Sequence, residues 1–215
     1  AAADLDNDGD QDIVIGQTRA EPYYQGRELQ ILINDGEGNF SDKTDTRLGD
    51  QAFYSEGEAY SHGEGTVNLL DINADGLLDI YVCNSGDVEG DNKQNELFIN
   101  QGDLTFKEEA EKYGLADPGY STHASFFDYD KDGDLDVYLL NNSYQAIGSF
   151  DLRRNERPKR DMDGGDKLLK NLNGKFIDVS EESGIYGSVI GFGLGVTVGD
   201  VNSDGWEDIY VSNDF

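Results

Sequence analysis

A nine-residue acidic pattern occurs four times in this chain and constrains its fold more than any other feature. The first copy places Asp4, Asp6, Asp8, Asp10 and Asp12 at positions 1, 3, 5, 7 and 9; the second places Asp71, Asn73, Asp75, Leu77 and Asp79 there. The third has Asp128, Asp130, Asp132, Asp134 and Asp136, and the fourth Asp200, Asn202, Asp204, Trp206 and Asp208. Glycine stands at position 6 each time (Gly9, Gly76, Gly133, Gly205), and the copies start 67, 57 and 72 residues apart. A second motif keeps step: an asparagine, a glycine turn and a phenylalanine, at Asn34–Gly36–Phe40, Asn100–Gly102–Phe106 and Asn171–Gly174–Phe176. Its asparagines are 66 and 71 residues apart. Two motifs in register mark one supersecondary unit repeated along the chain.

Each unit reads as β structure. The acidic loops run into β-branched and aromatic triplets such as Ile80-Tyr81-Val82 and Val137-Tyr138-Leu139, which suit strands. The segments before the loops alternate with period two: Leu194, Val196 and Val198 against Gly193, Gly195 and Thr197. The small-residue face fits the crowded innermost strand of a blade. The asparagine motif supplies a third strand, a turn and a fourth. Four antiparallel strands in about 60–70 residues predict an all-β fold built from β-propeller blades, with segments near 1–50, 51–115, 116–187 and 188–215. A sandwich would explain the strands without explaining the repeat. Propellers close with about four to eight blades. Some three and a half are present, so an incomplete arc is expected, completed by the rest of a longer propeller chain.

Carboxylates this closely spaced repel unless a cation sits among them. Calcium takes six to eight oxygens at flexible geometry. Positions 1, 3, 5 and 9 are expected to supply side-chain oxygens and position 7 a backbone carbonyl. All twenty residues named above are therefore candidate ligands, for up to four structural calcium ions. An EF-hand would need a bidentate glutamate at position 12 and flanking helices. Position 12 is Ile15, Val82, Leu139 and Val211, so that reading fails. Counting carboxylates at positions 1, 3, 5 and 9 gives the loops at Asp4 and Asp128 four and the others three. Because the first loop lacks a full preceding strand, the Asp128 loop is expected to bind most tightly.

The formal charge is −29, which argues against a nucleic-acid partner. The longest uncharged stretch, residues 183–199, is 17 residues with six glycines, too short and broken for a membrane span. One cysteine, Cys83, leaves no internal disulfide framework.

The acidic hairpin loop at blade spacing resembles the calcium-binding FG-GAP/VCBS propeller repeats of integrin α-subunit type. It is similar above all to the cartilage acidic protein and ASPIC/UnbV group, through residues 191–200, 209–215 and 165–171. Only Phe192-Gly193 matches the family's full signature, and no C-terminal ASPIC/UnbV segment is present. The resemblance implies a secreted or cell-surface binding or adhesion module, on the extracellular or periplasmic side, with a protein or glycan partner and no enzymatic activity. The alternative is the propeller of a carbohydrate-active enzyme such as a polysaccharide lyase.

Few residues outside the loops suggest chemistry. His62, His123 and Cys83 read as strand or core residues. The connection 141–166 is an insertion beside counterparts of about 13 residues, and carries Arg153, Arg154, Arg157, Lys159 and Arg160, a candidate ligand or partner loop. Sequons occur at Asn39 and Asn141.

Overall fold

Short apolar strands separated by acidic and glycine turns can bury their faces only by stacking sheet on sheet, and the chain does so. The computed structural model describes residues 1–16, 29–48, 63–85, 94–151 and 153–213. Among these, three antiparallel four-stranded meanders and one two-stranded hairpin carry the fold. The first sheet comprises β1 (Ala2–Ala3), β2 (Asp12–Gly16), β3 (Leu29–Asn34) and β4 (Phe40–Asp42). The second has β5 (Gly63–Leu70), β6 (Asp79–Ser85), β7 (Glu96–Asn100) and β8 (Phe106–Glu108). The third has β9 (Ser121–Phe127), β10 (Asp136–Asn141), β11 (Lys167–Asn171) and β12 (Phe176–Asp178); β13 (Gly193–Gly199) and β14 (Asp208–Asn213) form the hairpin. Each sheet has the strand order of a propeller blade, and each acidic loop joins a blade's first strand to its second.

The chain divides into two compact units, Ala1–Ala116 and Asp117–Phe215. In the first, Leu5, Val14, Leu29 and Ile31 of one blade pack with Ile80, Val82, Phe98 and Phe106 of the next. In the second, Phe127, Tyr138, Leu140 and Leu168 form the core, with Val196, Val198, Ile209 and Val211 of the hairpin against it. The crowding expected of an innermost strand is visible at Gly193, where a Cβ would lie 2.5 Å from the Leu140 side chain.

Two details go beyond the sequence reading. Ala2–Ala3 already pairs with Asp12 and Ile13, giving the first loop a two-residue preceding strand. Short helices, α1 (Thr44–Leu48) and α2 (Ala110–Tyr113), follow the fourth strands, although the units read as wholly β. Leu48 and Ala110 are buried, so these turns plug the ends of their blades.

Candidate metal centres

The four acidic loops adopt one backbone turn. The carboxylate at position 1 accepts the N–H groups of positions 5 and 6: Asp4 from Asp8 (3.1 Å) and Gly9 (3.0 Å), Asp71 from Asp75 (3.0 Å) and Gly76 (2.8 Å). Asp128 and Asp200 repeat the pattern with Asp132 and Gly133, and with Asp204 and Gly205. The position-5 carboxylate accepts the N–H of position 7 in every copy. This winding drives position 6 to φ of 87–99°, which glycine adopts freely. It also drives position 4 into the left-handed region, where Asn7, Ala74, Lys131 and Ser203 sit near 60°.

Position 9 fastens the loop to the blade. Asp12, Asp79 and Asp136 are fully buried. One oxygen of each accepts the N–H of position 2, and the other accepts the backbone N–H of Asn34, Asn100 or Asn171 on the third strand, at 2.8–2.9 Å. The same asparagines donate their Nδ2 to the carbonyl of position 8 and accept the N–H of the following turn glycine. The two sequence motifs are thus halves of one clamp. Desolvation pushes Asp79 and Asp136 up to about 6, against the pull of those N–H groups.

Whether the loops suit a cation can be judged from their oxygens. Ligand-capable atoms of Asp4, Asp6 and Asp8, and of Asp128, Asp130 and Asp136, lie within 4.8 Å of one another. Among the described residues, Asp6, Asp10, Asp130 and Asp134 each keep one buried Oδ1 that meets no hydrogen-bond donor. Buried acceptors are normally satisfied, so four at matching positions of two loops suit a positive charge. Desolvation, then neighbouring carboxylates, raises Asp6, Asp10 and Asp134 above the ordinary range. Position 7 is expected to offer only its carbonyl, yet in the loops at Asp4 and Asp128 its carboxylate stands beside the other acids. Loops two and four place Leu77 and Trp206 there. Their position-3 asparagines accept the Asp75 and Asp204 N–H groups instead. These donor sets, hard oxygens from carboxylate and amide, fit calcium.

One loop contains a cation of its own. The Lys170 ammonium, on β11, bonds Asp130 and lies 3.6 Å from Asp132. Its position, directly before the motif asparagine, is Ile33 in the first blade and Ile99 in the second, the signal that could have singled it out. A second link joins neighbouring loops: Lys131 stands 4.1 Å over the Trp206 ring and bonds the Gly205 carbonyl.

The insertion 141–166 has a split character. Arg153 (2.9 Å) and Arg154 (3.8 Å) pair with Asp151, and Lys159 with Glu156 (2.6 Å), all with exposed cationic side chains. Arg157 is exposed as well. Arg160 turns inward, donating to the Ile185 and Asp166 carbonyls, and leaves the surface set. Asn141, the second sequon, is fully buried, and its Nδ2 donates to Gly165 O; Asn39 is exposed. His123 is half-buried on β9, and desolvation lowers its pKa, favouring the neutral ring at pH 7. Cys83 is buried within β6. His62 lies outside the described residues.

The repeat that builds these loops can be compared with known proteins. The model of the FG-GAP-like repeat matches residues 4–82 and 71–139. Cartilage acidic protein 1 of Xenopus tropicalis is 28% identical over 187 residues, covering 85% of this chain and 24% of that protein. The chain therefore spans about a quarter of the length of that relative. With the acidic turn in all four copies and the family match over more than half its length, the chain belongs to the FG-GAP-like repeat family.

Proposed function

We propose that this chain is a calcium-stabilised propeller segment of an extracellular or cell-surface binding module. It would be non-enzymatic, with a structural ion in the acidic loop of each blade and a protein or glycan as its ligand. The supporting observation is the set of buried, unpartnered Oδ1 atoms at positions 3 and 7 of the loops at Asp4 and Asp128. Positions 1, 3, 5, 7 and 9 would hold the ion, with Asp10 and Asp134 offering a carboxylate where the other loops offer a carbonyl. Calcium, when bound, supplies the charge that offsets crowded carboxylates. The residues do the rest: position 1 holds the turn, and position 9 transmits its shape to the third strand. The ion would thus support the blade rather than a reaction. Placement outside the cell agrees with the family, whose repeats typically serve as extracellular binding modules, and with a relative named for cartilage.

Thermal melting with millimolar calcium and with excess EGTA tests the structural role. If each site is filled about tenfold above its Kd it contributes ~1.4 kcal/mol, and four sites ~5–6 kcal/mol. A large fall in Tm on chelation is expected, and an unchanged Tm overturns the reading. Glycan and matrix-protein arrays probed with and without calcium then test the binding role.

A further inference from the structure

The third acidic loop differs from the first in a way that ligand counting does not capture. Both offer carboxylates at positions 1, 3, 5, 7 and 9. In the first, the residue beside the loop on the third strand is Ile33, an apolar residue packed against the core. In the third it is Lys170, partly buried, whose ammonium binds Asp130 at position 3 and approaches Asp132 at position 5. Its stem passes the Tyr129 ring, with Nζ 5.9 Å from the centroid. Asp130 still keeps its second oxygen buried and unpartnered, as does Asp134.

On the calcium reading above, we propose that Lys170 is a specificity-determining residue that makes the Asp128 loop a competitive cation site. There the tethered ammonium and a divalent ion contend for the carboxylates of Asp130 and Asp132. The physical basis is elementary. An ammonium a few ångströms from a divalent ion repels it, and the ion gains those carboxylates fully only when the lysine withdraws. The same ammonium relieves carboxylate repulsion when no metal is bound, so the loop keeps its shape without calcium. Carboxylate number leaves these two loops level, and the order expected from their preceding strands is inverted: the Asp128 loop binds more weakly than the Asp4 loop, and its loss on chelation costs less. A lysine offers three donors on a flexible stem and can swing aside, as a rigid partner could not.

The test compares wild type with Lys170→Ile, the residue type of the other two blades, by calorimetric titration with calcium chloride and by melting in EGTA. The variant is expected to bind calcium at one site about tenfold or more tighter, that is by ~1.4 kcal/mol or more, with unchanged stoichiometry. In EGTA it is expected to melt at a lower temperature than wild type. Lys170→Met, which keeps the apolar stem, should behave alike if the effect is one of charge. The converse substitution, Ile33→Lys, should weaken one site and leave the number of sites unchanged. Unaltered calcium constants in both lysine-removal variants overturn the proposal, as does loss of a site. Wild type that takes up no calcium would instead refute the calcium reading itself, and with it the competition. In that case a lower Tm of Lys170→Ile in EGTA would retain Lys170 only as a counter-ion.

Discussion

In the second blade, Asn95 accepts the N–H of Asn84 through its side-chain oxygen and donates to the Tyr81 hydroxyl. In the third, Asp166 occupies the same place, accepting the N–H of Asn141 (3.0 Å) and the hydroxyl of Tyr138 (2.8 Å). At the ends of the fourth strands the exchange runs the other way. Asp178 accepts the N–H and hydroxyl of Ser180, whose Oγ accepts the Leu168 N–H. Glu108, one methylene longer, accepts the Ala110 and Leu97 N–H groups itself. The first blade uses the relay form, through Asp42 and Thr44. A blade needs a hydrogen bond at these points, and more than one side chain can supply it. Where the third blade introduces charge, it introduces a counter-charge too. Lys170 faces Asp130, Lys167 pairs with Asp117, and Arg160 lies close enough to Asp166 to favour its ionised form.

The largest effect expected from breaking this comparison concerns Asp166. Burial pushes its carboxyl up to about 6, although Asn141, Tyr138 and Arg160 pull the other way. With a folded pKa above the unfolded one, the native state keeps a proton between about pH 4 and 6 that the unfolded chain has released. Stability therefore falls as pH rises through that window, by about 2–3 kcal/mol from this group. Asp166→Asn, which installs the residue of the second blade, should remove that share of the slope and leave the variant the more stable protein near pH 7. Denaturant unfolding at pH 4.5 and 7 measures it, and parallel curves for the two proteins would show that the pair is not interchangeable.

A smaller effect belongs to the relay. Ser180→Ala strands the buried Leu168 N–H and should cost about 1–2 kcal/mol. Adding Asp178→Glu recreates the arrangement of the second blade and should recover most of the loss. A double variant no more stable than the single one would mean the two solutions depend on their own backbones.

The smallest effect is expected on the insertion that the second blade lacks. Arg153→Gln, Arg154→Gln and Arg157→Gln together should move Tm by about 1 °C or less, since exposed pairs contribute little. If this face meets an anionic partner, binding should weaken. Unfolding of the triple variant would show instead that these cations hold the loop.

The repeated loop made the blades readable because its spacing is local and its glycine and carboxylates recur in every copy. Candidate ligands were legible for the same reason. What could not be read were contacts set by how strands meet. Lys170 reaches Asp130 across 40 residues of sequence, and Asp117 meets Lys167 across 50. Arg160 looked like its four basic neighbours until the backbone around Ile185 and Asp166 drew it inward. The carboxylates of Asp10 and Asp134 were obscured because Leu77 and Trp206, at the same position, have no side-chain oxygen.

The clamp between position 9 and the motif asparagine has a consequence for how the chain acquires its structure. It closes over 22 residues in the first blade and 21 in the second, but 35 in the third. Contacts of such short range let each blade nucleate by itself, as in other repeat proteins. The longer closure in the third blade adds ~0.5 kcal/mol of chain entropy. Part of that burden falls on the insertion, where Asp161 receives the N–H groups of Asp163 and Gly164 and donates its own to Gly187. Folding of this segment should therefore begin in the first two blades and reach the third late, after the insertion has condensed.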